Sequence, residues 1–146
     1  MRWNADPRFH RYLNAHDADE TAAILARWQQ HWEEHGFGLV AVEDRATGIL
    51  IGRSGLHYHR LWPDDPEVGW AFEPDLWGRG LATEAGAACV RWAFDDHGFE
   101  RVVSICVPGN VASRRVMAKL GFRLLTECDS EQWGTLLIHA LDTAAR

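Results

Sequence analysis

At 146 residues, 47% of them hydrophobic and 25% charged, the chain fits one domain, 1–146, that can bury a core unaided. Its formal net charge of -6 argues against a nucleic-acid partner, which would take a basic surface. Three widely spaced cysteines form neither a zinc pair nor a disulfide framework, so a cytoplasmic location is expected. The polar start MRWNADPRFHR is no signal peptide, and no apolar run approaches the roughly 18 residues of a membrane span.

Asp6-Pro7 reads as an N-cap followed by proline at the first helical position, opening a short helix over about 7–14. Asp17 and Glu20 have capping-box spacing, and Ile24, Leu25, Trp28 and Trp32 recur at helical spacing up to Gly36. A second helix is expected at about 18–35. Segments 38–44 and 49–60, joined by the turn RATG, read as a hairpin in which Gly52 and Gly55 mark a bulge or bend. After a loop at 61–65, EVGWAF (67–72) is a third strand stopped by Pro74. One apolar face (Leu81, Ala85, Ala88, Cys89, Trp92) predicts a helix over 81–96. ERVVSICV (100–107) is apolar on both faces, as in the middle of a sheet. Asn110 caps a helix over 111–119, and segments 122–127 and 133–141 close the chain as an antiparallel pair. The order gives an α/β fold with a mixed sheet flanked by helices, containing one strand–helix–strand crossover between 67 and 107.

The loop WGRGLAT (77–83) is the first candidate site. Two glycines let backbone approach a ligand, and the helix start that follows offers unpaired N–H groups and a positive dipole end. Arg79 adds charge. A plain strand-to-helix turn is the bland alternative. A Walker loop is absent, and a dinucleotide fingerprint lacks its third glycine because Thr83 stands there. Glu67, at the start of the third strand, is either a candidate general base or a surface carboxylate.

Two segments carry a resemblance. EVGWAFEPDLWGRGLATEA (67–85) is similar to the pattern E-[IV]-G-[YW]-x-[FL]-x-P-x-x-W-G-[KR]-G-[YL]-A-T-E-A. NVASRRVMAKLGF (110–122) resembles N-x-x-S-x-[RK]-V-x-x-K-x-G-F. Both patterns belong to the GNAT superfamily of N-acetyltransferases, in the branch of the ribosomal-protein N-terminal acetyltransferases. The resemblance implies acetyl-CoA as cosubstrate and no metal. It places the pyrophosphate on Gly78, Arg79, Gly80, Leu81, Ala82 and Thr83. It places the pantetheine in a gap between strands 67–72 and 100–107, paired with backbone near Ala71, Phe72 and Glu73, with Asn110 close by. Ser113 would protonate the leaving thiolate. No tyrosine follows Tyr58, so the second motif supplies no tyrosine acid.

The implied activity is acetyl transfer to a primary amine, a peptide N-terminus or a small molecule, by direct attack. A catalytically weak acyl-CoA-binding module is the alternative. The superfamily's usual first strand is not found ahead of Asp6: the product is naturally short, the start is misassigned, or the core is completed otherwise. Strand 38–44 would then have an open edge, for which a homodimer or other edge-mediated association is expected. Two further patterns compete for attention. His31 and His35 formally match an inverted zinc-protease helix, for which a solvated helix end is the simpler reading. His57 and His59 share one face of a strand, where they could bind metal, shuttle protons or line the acceptor groove; the fold favours the acceptor groove or plain surface over metal. Cys106 reads as a small core residue rather than a nucleophile.

Overall fold

The structure, a computed structural model, describes residues 5–14 and 16–145. Helices α1 (Pro7–His10) and α2 (Ala18–His35) come first. Strands β1 (Leu39–Glu43), β2 (Leu50–His59) and β3 (Trp62–Phe72) form an antiparallel meander. Helix α3 (Leu81–Arg91) then leads to β4 (Arg101–Cys106), which pairs with β3 in parallel. Helix α4 (Val111–Leu120) and the antiparallel strands β5 (Arg123–Ser130) and β6 (Gly134–Asp142) complete the chain. The six strands form one mixed sheet in the order β1-β2-β3-β4-β6-β5, the α/β architecture that the sequence predicts. Among the described residues no strand precedes α1, and no helix is long and apolar enough to cross a membrane.

The caps act as their spacing implies. Asp17 accepts from Glu20 N while the Glu20 carboxylate accepts from Asp17 N, a complete capping box. Gly36 and Gly121 close α2 and α4 in the left-handed conformation, where a side chain would be strained. The core lies between the sheet and the helices α3 and α4, where Leu56, Val68, Cys89, Ala93, Val102 and Met117 are buried. Gly86 permits the close approach of α3, since a Cβ there would lie 3.3 Å from the Trp70 ring.

Three boundaries differ from the sequence expectation. Helix α1 has four residues instead of about eight. Its chain turns off axis so that Leu13 packs on Phe9 and Ala71, and four residues are too few to hold a helix by themselves. Helix α3 stops at Arg91 and a π-helical turn continues it to Asp96, closed by His97 N donating to Trp92 O at 3.2 Å. Strand β3 begins at Trp62, so the expected loop at 61–65 is mostly strand. Between the rungs His59–Trp62 and His57–Glu67, β2 advances two residues and β3 five, and Pro63 and Pro66 fall within this irregular stretch.

Candidate active site

Strands β3 and β4 share a single rung, Glu67 opposite Val103. One residue further on, the buried Ser104 hydroxyl donates to Val68 O at 3.0 Å. Past that bridge the strands have no common rung, and a gap opens toward the loop after β3. Which backbone groups face the gap follows from the alternation of an antiparallel ladder. Glu73 N donates to Ile51 O of β2 at 2.9 Å, so Glu73, Ala71, Gly69 and Glu67 turn their backbone groups to β2. Those of Val68, Trp70 and Phe72 turn to β4 and the gap. The bonds from Ser104 Oγ to Val68 O and from Trp77 Nε1 to Phe72 O, at 2.8 Å, agree with this parity. Of the expected pairing residues Ala71, Phe72 and Glu73, Phe72 turns its backbone groups to the gap, as does Trp70, while those of Ala71 and Glu73 turn to β2. Strand parity depends on the β2–β3 register, which the irregular stretch at 62–66 conceals in the sequence.

The loop after β3 is built for an anion. Gly78 and Gly80 sit at φ +79° and +80°, and no protein atom lies within 4 Å of a Cβ placed on either, so backbone conformation rather than crowding demands glycine. Gly80 is the N-cap of α3 and no side chain bonds the first turn, which leaves the N–H groups of Leu81, Ala82 and Thr83 facing open space. Trp77 props the loop by bonding back to Phe72 O, while Arg79 is exposed and does not line the cavity. Asn110 caps α4 by accepting from Ser113 N at 3.1 Å, and both residues line the cavity. An open glycine cradle, an uncapped helix start and a gap with unpaired strand backbone together fit a diphosphate that continues into an extended polar chain.

The same cavity, of about 700 Å³, runs from Gly78 and Gly80 to His59. At its far end Glu67 is 7% exposed, and its Oε2 lies 3.1 Å from His57 Nε2. The approach falls short of hydrogen-bond geometry, and among the described residues Glu67 Oε2 and, across the ring, His57 Nδ1 are buried without a hydrogen-bond partner. The ring of His57 leans over Gly69, whose Cβ would meet it at 3.5 Å. Burial holds the His59 imidazole below its usual range, against the pull of the nearby Glu67 carboxylate. Arg53 lies on the same face of β2, with its guanidinium 4.9 Å from the centroid of the Trp28 ring. The wall opposite is α2. No residue of this helix is buried, and its apolar stripe of Ile24, Leu25 and Trp28 faces the cavity.

Comparison with known proteins places this geometry. The sequence profile of the family described as "Acetyltransferase (GNAT) domain" matches residues 1–123. The chain belongs to the GNAT acetyltransferase family. It is similar to the uncharacterised protein YkkB of Bacillus subtilis, 34% identical over 118 residues that cover 80% of this chain and 69% of YkkB. An acetyltransferase from Agrobacterium tumefaciens shares the fold with a TM-score of 0.84 at 26% identity, over 97% of this chain and 82% of that one. Ribosomal-protein-S5-alanine acetyltransferase from Vibrio fischeri, 16% identical, has a TM-score of 0.75 over 99% of this chain and 88% of its own, a likeness of fold alone. GNAT acetyltransferases use acetyl-CoA and act on amines, and as a member this chain is an N-acetyltransferase.

Within the GNAT frame the remaining candidates sort by contact. His31 is no free metal ligand: its Nδ1 lies 2.9 Å from Phe37 O and its Nε2 accepts from Tyr58 N at 3.1 Å, so the network assigns the proton to Nδ1. Cys106 is buried, and burial pushes its thiol up to about 11, away from thiolate chemistry. Trp70, Arg53 and Tyr12 are among the cavity residues to which the sequence assigns no role. The Tyr12 hydroxyl donates to Gly109 O at 2.9 Å, which brings a phenol from the N-terminal segment beside Asn110 and Ser113. No spacing rule links residue 12 to residue 109; only the folded sheet does.

Proposed function

We propose that this GNAT domain moves an acetyl group from acetyl-CoA to a primary amine, a peptide N-terminus or a small molecule, by direct attack in a ternary complex. The observation that carries the reading is the pair of buried polar atoms, Glu67 Oε2 and His57 Nδ1, which have no hydrogen-bond partner among the described residues at the point where β3 and β4 part. A buried carboxylate without hydrogen bonds is costly, and such groups persist where a ligand completes them. When bound, acetyl-CoA supplies the thioester carbonyl and the thiol leaving group. The N–H groups of Leu81, Ala82 and Thr83 hold the diphosphate, and backbone groups of Trp70 and Phe72 pair with the pantetheine and polarise the carbonyl. Glu67, with His57 beside it, takes the proton of the incoming ammonium directly or through a water. Ser113 supplies the proton for the thiolate, and the Tyr12 hydroxyl, bonded to Gly109 O, is a second donor in the same cavity.

Thiol release from acetyl-CoA across a panel of amines tests the reaction. Glu67→Gln keeps the shape of the side chain and removes the base, so kcat should fall about 10²-fold with CoA affinity nearly unchanged. Equal loss of CoA binding would make Glu67 a structural residue. CoA binding without thiol release for any amine would favour the acyl-CoA-binding module. The same proposal includes a homodimer formed through the open edge of β1, and a cytoplasmic setting.

A further inference from the structure

Among the described residues, the acceptor end of the cavity holds a cation with no carboxylate beside it. Arg53 is largely withdrawn from solvent on β2, yet among the described residues it makes no hydrogen bond and has no carboxylate within 4 Å. Its guanidinium stacks on Trp28, which uses one face of the group and leaves five N–H donors in its plane. Burial works against its charge and the more distant Glu67 works for it. The floor of the cavity shows where those donors lead. On one face of the β2–β3 ladder three rungs follow in turn: Arg53 with Ala71, Gly55 with Gly69, and His57 with Glu67. The middle rung carries no side chain. Rungs on one face are about 6.8 Å apart, so the guanidinium and the carboxylate rise from points about 14 Å apart, across a bare stretch overhung by the His57 ring. The charge of the whole lining agrees. Among the described residues Glu67 is its single carboxylate; Arg53 is the permanent cation on the β2 side, while Arg115 and Lys119 stand on α4 beside Asn110 and Ser113, on the cofactor side. A cavity that took a polyamine would need the opposite balance.

We propose that Arg53 receives an anionic group of the acceptor, so that the acceptor is a primary amine carrying its own carboxylate, an amino acid or a short acidic peptide, held between Arg53 and Glu67. This rests on the acetyl-transfer reading and names the substrate class for that site. The carboxylate would meet the guanidinium in its plane, edge-on and two-pronged. The amine would then lie at the Glu67 end, where the base is.

The test is thiol release from acetyl-CoA with free L-amino acids, the corresponding C-terminal amides and spermidine, using the wild-type protein, Arg53→Gln and Arg53→Lys. CoA affinity is followed in parallel by calorimetry. Expected for wild type is a preference of at least tenfold in kcat/KM for one or more acids over the matching amides, and no turnover of spermidine at comparable rates. Arg53→Gln should erase that preference by raising KM ten- to a hundredfold, with the dissociation constant for CoA unchanged, and Arg53→Lys should recover part of it. Equal use of acids and amides by the wild type would overturn the proposal without needing any variant to fold. Loss of CoA affinity in Arg53→Gln would overturn it too, by assigning the guanidinium to a phosphate of the cofactor. A wild-type protein that binds CoA and acetylates only amines without a carboxylate sinks this inference and leaves acetyl transfer standing. One that fails to bind CoA sinks the reading beneath it.

Discussion

Gly80 shows how one residue can carry both a conformation and a charge requirement. It sits at φ +80° as the N-cap of α3, with no side-chain bond to the first turn. Any side chain pays about 1–2 kcal/mol for that backbone geometry. There is room for one, because no atom lies within 4 Å of the built Cβ. Gly80→Ala should therefore lower stability by about that amount and leave a CoA site of similar affinity. Gly80→Asp adds a carboxylate beside the N–H groups of Leu81 and Ala82, where the diphosphate is proposed to sit. Calorimetry should then show CoA binding lost, more than a hundredfold, in a protein that still melts cooperatively. Unchanged affinity in Gly80→Asp would move the phosphate site away from this loop. The two variants separate strain from charge, which the sequence pattern alone cannot do.

At the scale of elements, α2 shows how much the sequence makes legible. Its capping box, its C-terminal Gly36 and its apolar stripe were all readable, and the helix forms over the expected residues. What its stripe faces was not readable. Amphipathic spacing implies an apolar neighbour, yet Ile24 and Trp28 stay half-buried because they wall a cavity rather than join the core. The C-terminal half does the anchoring. Trp32 stacks on Trp92 at 5.7 Å and bonds Leu39 O, and His31 ties Phe37 to Tyr58. Local patterns of capping, glycine and period thus come through in sequence. Long-range contacts such as Tyr12 to Gly109, or the parity of β3, depend on a register that proline-rich residues 62–66 displace. The anchor has a pH dependence that can be derived. Burial holds the His31 imidazole below its ordinary value of 6.5, helped by nearby His35 and His57 and opposed by the bond to Phe37 O and by Glu34. The unfolded chain therefore binds the proton more readily. The stabilisation from His31 is present above pH 6.5 and is lost as the pH falls below it through the folded value. Urea midpoints should drop between pH 7 and pH 5. His31→Gln should be less stable at pH 7.5 by about 1–3 kcal/mol, from the disrupted bonds, and should show a flatter pH dependence. An identical pH slope in the variant would place the titrating group elsewhere.

At the scale of the whole molecule, the sheet has two open edges among the described residues, and they are not equivalent. Edge β5 is interrupted early, by a register shift between Leu124 and Thr126. Edge β1 is regular from Leu39 to Val42 and shifts only at its last residue. The outer side of β1 is covered only where Trp32 Nε1 takes Leu39 O, and among the described residues no strand pairs beyond it. Val40, Ile49 and Leu50 are exposed on this hairpin. A short, regular, apolar edge is the kind that pairs with a second copy, whereas bulges and charges blunt such pairing. The active-site cavity reaches Leu39 but its chemistry lies on β2 and β3, so pairing along β1 would leave Glu67 and Gly80 untouched. Light scattering at high concentration should accordingly report a dimer. Val40→Lys places a charge on the edge and should shift the population toward monomer while preserving CoA affinity. A monodisperse wild-type monomer at high concentration would exclude the β1 edge as an interface. A dimer that survives Val40→Lys would move the contact to the other end of the sheet, where Leu124 and Leu125 are also exposed.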